Sequence, residues 1–238
     1  PFVRRFLGSE EFINNIERYC LWLIDCPPDQ LRQMPEVFSR VEKVRAMRLA
    51  SKKSPTRALA DTPTVFAEIR QPSTDYLVIP EVSSESRNYI PIGFVSNDVI
   101  ASNKLYTLSE PSIYYFGVLS SAMHMSYVRY VSGRLKSDYQ YSAGIVYNNF
   151  PWPENVTEKH RQNIEEAAQG VLDTRAKHSS SSLADLYDPV SMPPDLVKAH
   201  HRLDSDVDAA YSKKKFSGDS DRVPFLFELY EKLISPLE

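Results

Sequence analysis

The chain has 238 residues, 42% hydrophobic and 25% charged, with 14 Tyr, 11 Phe and 2 Trp. That is enough apolar and aromatic material for the core of one large or two small domains. A net charge of −3 does not announce a nucleic-acid binder, and seven Gly against 17 Pro argue against glycine-rich phosphate loops. Two cysteines, Cys20 and Cys26, build neither a disulfide framework nor a four-ligand zinc site and read as core thiols in a reducing compartment. No run of about 20 apolar residues is present to span a membrane, and no signal peptide is visible.

The chain opens at Pro1 without a methionine and ends in Leu237-Glu238, a dipeptide that cloning vectors often leave; a fragment of a longer protein is expected. Residues 19–24, Tyr-Cys-Leu-Trp-Leu-Ile, are apolar at every position and predict a buried strand ended by Pro27 and Pro28. Pro35 opens a helix reaching about residue 52. Val37, Val41 and Val44 form its apolar stripe, and Arg45, Arg48 and Lys52 line another face. Between Leu31 and Arg57 the basic residues Arg32, Arg40, Lys43, Arg45, Arg48, Lys52, Lys53 and Arg57 face only Glu36 and Glu42. Such a run attracts a polyanion; a solvated helix face is the alternative on charge alone.

Short β-rich runs follow at residues 64–69, 76–80, 89–94 and 99–101, with another at 105–108. Residues 112–135 predict one long helix, with Gly133 placed to end it, and residues 139–147 are again β-prone. Pro151-Trp152-Pro153 marks a boundary. Helices are expected at 157–177, with Ile164, Ala168, Val171 and Leu172 on the apolar side, at 193–211 and at 224–233, with serines 179–182 as a loop. The fold expected is an α/β (α+β) domain, residues 1–153, with a mixed sheet and long helices, followed by a small all-α domain, residues 154–238.

The sequence contains no G-x-G-x-x-G, no P-loop and no G-x-S-x-G. His124, His160, His178, His200 and His201 show no metal-ligand spacing and read as structural or exposed histidines. No carboxylate pair stands out as acid and base, so nothing in the chain proposes catalysis.

The informative stretch is residues 127–153, YVRYVSGRLKSDYQYSAGIVYNNFPWP. If the chain runs extended after Gly133, residues two apart point the same way. Lys136, Asp138 and Gln140 then share one face, and Leu135, Ser137, Tyr139 and Tyr141 the other. Lys donates to the guanine O6/N7 edge, Asp accepts from cytosine N4, and Gln pairs bidentately with adenine, as major-groove readout requires. A polar edge strand kept charged against aggregation is the alternative.

This segment resembles the MmeI-like family of single-chain type IIL restriction-modification enzymes and their methyltransferase-only relatives. So do Gly8-Ser9-Glu10-Glu11-Phe12-Ile13-Asn14, Tyr19-Cys20-Leu21-Trp22-Leu23, Ile79-Pro80-Glu81-Val82-Ser83-Ser84, Tyr89-Ile90-Pro91-Ile92-Gly93-Phe94 and Tyr147-Asn148-Asn149-Phe150-Pro151-Trp152-Pro153. The resemblance covers nearly the whole chain. It implies an optional nuclease, then a domain that binds S-adenosylmethionine and methylates adenine N6, then a target recognition domain and a helical tail. Only the last two parts match here; the methyltransferase N-P-P-Y motif and glycine-rich cofactor turn do not occur, so the isolated chain is expected to hold no cofactor or metal and to be inactive.

By the resemblance, Lys136 and Asp138 form the pair that reads one base pair, G·C in one orientation. Gln140 with Lys104 falls where a second base pair is read, and Glu81 with Asn103 where a third is. Arg134, Arg129, Arg45, Arg48 and Lys52 are cast as phosphate contacts, which hold register without reading sequence. The implied partners are double-stranded DNA and the missing methyltransferase domain, and a nuclease domain where present, in the bacterial cytoplasm. A protein-interaction scaffold without DNA binding is the alternative, and an unrecognised hydrolase a third reading.

Overall fold

The structure is a computed structural model that describes residues 2–235; Pro1 and the terminal Leu237-Glu238 lie outside the described residues. In chain order the elements are β1 (Val3–Leu7), α1 (Ser9–Asn14), β2 (Tyr19–Leu21), α2 (Pro28–Arg32), α3 (Pro35–Leu49), α4 (Ser54–Ala58), β3 (Tyr76–Pro80), β4 (Val82–Ser83), β5 (Gly93–Val95), β6 (Ile100–Ala101), β7 (Leu105–Ser109), α5 (Ile113–Leu119), α6 (Ala122–Val131), β8 (Gly133–Leu135), β9 (Asp138–Gln140), α7 (Glu158–Lys177), α8 (Leu183–Leu186), α9 (Pro194–Tyr211) and α10 (Asp219–Ile234). A 3-10 turn at Leu59–Asp61 and a π-helical turn at Ala143–Tyr147 complete the set. The expected class holds: small sheets with helices, then a helical C-terminal region. No helix of the described residues is long and apolar enough to cross a membrane.

The chain forms two compact units interleaved in sequence: one takes the residues up to Phe6, Arg18–Gln71 and Asp98–Ile100, the other Leu7–Glu17, Pro72–Asn97 and everything from Ala101. The first unit carries a sheet in the order β2-β1-β6 and the helix α3. Leu23, Leu31 and Val41 are its buried apolar centre. The expected buried strand at 19–24 is only three residues long, and Tyr19 is exposed, because β2 is an edge strand with one neighbour. Residues 64–69 make no strand. Val65 N donates to Thr62 O in a turn, and Phe66 packs on Phe6 (6.0 Å between centroids) and Trp22 (5.6 Å), so side-chain packing replaces the ladder.

Pro35 does sit in the first turn of α3, and Val41 is buried. Arg48 departs from the expected basic face. It stands seven residues, two turns, beyond Val41, on the buried stripe. Its guanidinium donates to the carbonyls of Leu59, Thr62 and Val65, each at 2.8 Å. Fully engaged in fixing the turn after α4, Arg48 is withdrawn from the expected phosphate contacts.

In the second unit β3 is central in the order β5-β3-β7, and all five of its residues are buried, which is why Tyr-Leu-Val-Ile-Pro reads as continuous apolar sequence. The expected run at 89–94 is buried at Tyr89, Ile90 and Ile92 but ladders only from Gly93. The expected long helix at 112–135 is two helices. The Ser121 hydroxyl donates to Val118 O (2.7 Å) and accepts from His124 N (3.4 Å), capping α6 and ending α5 together. Gly117 in α5 packs against α7, where an added Cβ would lie 2.8 Å from Ile164 Cγ2; only glycine permits that approach. α10 begins at Asp219, five residues before the expected Pro224, because Asp221 accepts from the amide and hydroxyl of Ser217 and sets the start. A single buried cluster runs from Leu77 to Leu226 through Phe150, Ile164 and Leu203, so packing continues across the expected boundary at Pro153.

Candidate nucleic-acid interface

The extended strip expected after Gly133 is a β-hairpin. β8 and β9 pair antiparallel with Arg134 opposite Tyr139 and Leu135 opposite Asp138, and Lys136 takes the left-handed conformation (φ 57°) in the two-residue turn. Gly133 therefore starts a strand instead of ending a helix; α6 ends at Val131. The expected alternation survives only within β9, where Asp138 and Gln140 are half-buried and the intervening Tyr139 and following Tyr141 are buried. Leu135 does not join the packed face: it is 52% exposed.

β9 is not an edge. The sheet order is β4-β9-β8, with Val82 opposite Gln140 and Ser83 opposite Tyr139. Edge protection therefore does not explain the polar residues Asp138 and Gln140. The strand is anchored from its buried side. Tyr141 N donates to Glu81 O (2.7 Å), and the Tyr141 hydroxyl meets His124 Nε2 (3.1 Å). His124 Nδ1–H donates to Leu119 O (2.8 Å), which fixes Nε2 as acceptor. Burial pushes the His124 pKa down to about 4, partly opposed by that carbonyl.

The remaining candidates gather close in the fold. Glu81 N donates to Lys104 O (3.0 Å), and the Glu81 carboxylate pairs with Lys104 Nζ at 2.8 Å. This ion pair joins a residue expected at one base pair to a residue expected at the next. Asn103 and Lys136 are exposed, and the side chains of Asn103, Lys136 and Gln140 have no hydrogen-bond or ion-pair partner among the described residues. Asp138 Oδ1 accepts from Glu85 N (3.3 Å).

The basic candidates divide. Arg134 is exposed, lies 4.1 Å over the Tyr139 ring and donates to Ser137 O (2.9 Å), bracing the hairpin with donors to spare. Arg129 is paired with Asp219 through two contacts of 2.9 and 3.1 Å, so its charge is neutralised by α10 and it leaves the set of free phosphate contacts. Arg45 and Lys52, in the first unit, are exposed. Reasoning from side chains passed over the amide of Glu85, which donates to Asp138. The turn-forming Ser83-Ser84-Glu85-Ser86-Arg87 was the available signal.

Residues 1–154 match the family model described as MmeI, target recognition domain, and residues 156–238 that of MmeI, C-terminal domain. The chain belongs to the MmeI family. DNA methyltransferase A of Bacillus subtilis (strain 168) is 41% identical over 233 residues, covering 98% of this chain and 26% of that protein. The type IIL restriction-modification enzyme MmeI, solved in complex with DNA, superposes with a TM-score of 0.94 at 49% identity, covering 98% of this chain and 31% of that one. The chain thus spans about a quarter of the curated relative and a third of the solved MmeI. Among its described residues no group of three or more His, Cys, Asp or Glu stands as a metal site.

Proposed function

We propose that this MmeI-family chain reads a short sequence in double-stranded DNA on behalf of a larger DNA methyltransferase. The likeness to MmeI solved in complex with DNA carries the reading, since it runs through the hairpin and its neighbours. The geometry supports it: a central strand turns two buried tyrosines inward and leaves Asp138 and Gln140 on the opposite face, beside an unpartnered Lys136. Lys136 and Asp138 read a G·C pair, Gln140, Lys104, Glu81 and Asn103 serve neighbouring pairs, and Arg134, Arg45 and Lys52 hold phosphates. The parent enzyme supplies S-adenosylmethionine and transfers its methyl group to adenine N6, the target base being swung out of the stack. It acts in the bacterial cytoplasm, as a single chain with or without a nuclease.

Exchanging the charges by Lys136→Glu with Asp138→Arg in the intact enzyme is expected to change the preferred base at one position of the methylated site. Methylome sequencing reads the result, and an unchanged motif with retained activity refutes the assignment. Binding to duplex DNA is expected to weaken steeply with salt through counterion release; a salt-insensitive protein partner would favour a scaffold instead.

A further inference from the structure

After β4 the chain makes a β-turn at residues 84–87, closed by Arg87 N donating to Ser84 O at 3.2 Å. The Ser84 hydroxyl accepts from Ser86 N (3.4 Å) and lies 3.0 Å from the Ser86 hydroxyl, so the turn is organised from within. Glu85 is its second residue. The Glu85 side chain is exposed and has no partner among the described residues, but its amide donates to Asp138 Oδ1 at 3.3 Å. Arg87 Nη1 reaches the hydroxyl of buried Ser83 (3.4 Å), the register partner of Tyr139 beside Asp138. Burial lowers the Arg87 pKa, and the carboxylates of Asp138 and Asp188 oppose that shift.

A carboxylate with one oxygen held by a main-chain amide has lost most of its rotational freedom, while its second oxygen still offers lone pairs to a donor such as a cytosine amino group. We propose that the turn at residues 84–87 is a specificity element. The Glu85 amide holds the Asp138 carboxylate in the orientation in which it accepts from its base. The inference rests on Lys136 and Asp138 being the base-reading pair. It adds that discrimination there depends on a backbone N–H, which a code written in side chains does not register.

Proline suits the second position of a β-turn and lacks only the N–H. In the full-length enzyme, Glu85→Pro therefore removes the one donor, and Glu85→Ala keeps it. Methylation of the cognate site and of sites altered at one base pair at a time is the readout. Glu85→Pro is expected to reduce discrimination at the pair read by Asp138 on the order of 10-fold, as for loss of a hydrogen bond to a charged group, with every other position and Glu85→Ala unchanged. A folded Glu85→Pro enzyme with wild-type discrimination at that pair, or with equal loss at all positions, overturns the proposal. If thermal melting finds that variant unfolded, Ser84→Ala, which removes the hydroxyl that organises the turn, decides in its place: relaxation confined to that pair supports the proposal, and wild-type discrimination or uniform loss overturns it. The Lys136/Asp138 charge exchange runs alongside. An unchanged motif there removes the base-reading role itself, whereas a changed motif with unrelaxed turn variants removes the turn alone.

Discussion

Around α9 the polar side chains close on partners inside the protein. Asp204 accepts from Tyr89 OH and from Ala122 N, both at 2.7 Å; Arg175 reaches Tyr187 OH and Ile92 O, each at 2.6 Å; Tyr187 OH meets His200 Nε2 at 2.8 Å; and Arg222 grips Asp208 with two bonds of 2.7 and 3.0 Å. Around the β8–β9 hairpin the same kinds of side chain stay open: Lys136, Gln140 and Asn103 have no partner among the described residues, and Asp138 commits one oxygen to a backbone amide. Burial separates the two. A buried polar group without a partner costs about 1–3 kcal/mol, which favours closed arrangements in the interior, whereas a surface group loses little by waiting for a ligand. Charge or residue type alone does not tell a structural group from a reading one.

The sharpest way to break the contrast is to open the closed side. Asp204→Ala orphans the Tyr89 hydroxyl and the first amide of α6, and removes a carboxylate from that helix's positive end. Burial holds the Asp204 pKa up, opposed by its hydrogen bonds from Tyr89 and Ala122, so the site is sustained by its bonds. A loss of about 3 kcal/mol of stability in urea denaturation is expected, with the methylated motif unaltered at temperatures where the enzyme stays folded. A loss below about 0.5 kcal/mol, the range of ordinary surface substitutions, would show that closure around α9 is incidental.

Acid tests the junction between the two regions, because His124 sits in the core yet its partner Tyr141 directly follows β9. The unfolded chain takes up a proton at His124 near pH 6.5, while the folded protein refuses it until about pH 4. The folded pKa is the lower, so this contribution is fully present above about pH 6.5 and is lost as pH falls to about 4. It amounts to about 3 kcal/mol at this fully buried group. His124→Gln is expected to flatten the stability profile between those two values by one proton relative to the parent. Parallel profiles would mean that His124 does not titrate between folded and unfolded states as described.

Much of the frame was legible because it follows from local periodicity. β3 and β7 lie where β-rich runs stand between turn residues, and α7 and α9 where apolar residues recur at helical spacing. The misreadings share a different cause. The break between α5 and α6 depends on one serine capping in three dimensions; the hairpin depends on Lys136 accepting a positive φ that no glycine or asparagine advertises; and Arg48 differs from Arg45 only in which side of α3 it stands on. The same limit applies to the candidate interface. Its residues were named by resemblance and alternation, but the Glu81–Lys104 pair and the Glu85 amide on Asp138 are long-range contacts with no local signature.

Lys136→Ala sharpens the contrast from the open side. The side chain is exposed and unpartnered among the described residues, and alanine loses the same positive-φ compatibility that lysine already lacks, so stability should change by less than about 0.5 kcal/mol. If the ammonium meets a guanine edge in the complex, discrimination at that base pair should nevertheless fall by about 1–3 kcal/mol, roughly 5- to 150-fold, with phosphate-driven affinity for other sequences little changed. The two measurements, urea denaturation and methylation of singly altered sites, must separate for the contrast to stand. A variant that loses stability and specificity together would place Lys136 among the structural groups. One that loses neither would remove Lys136 from the proposed base-reading pair.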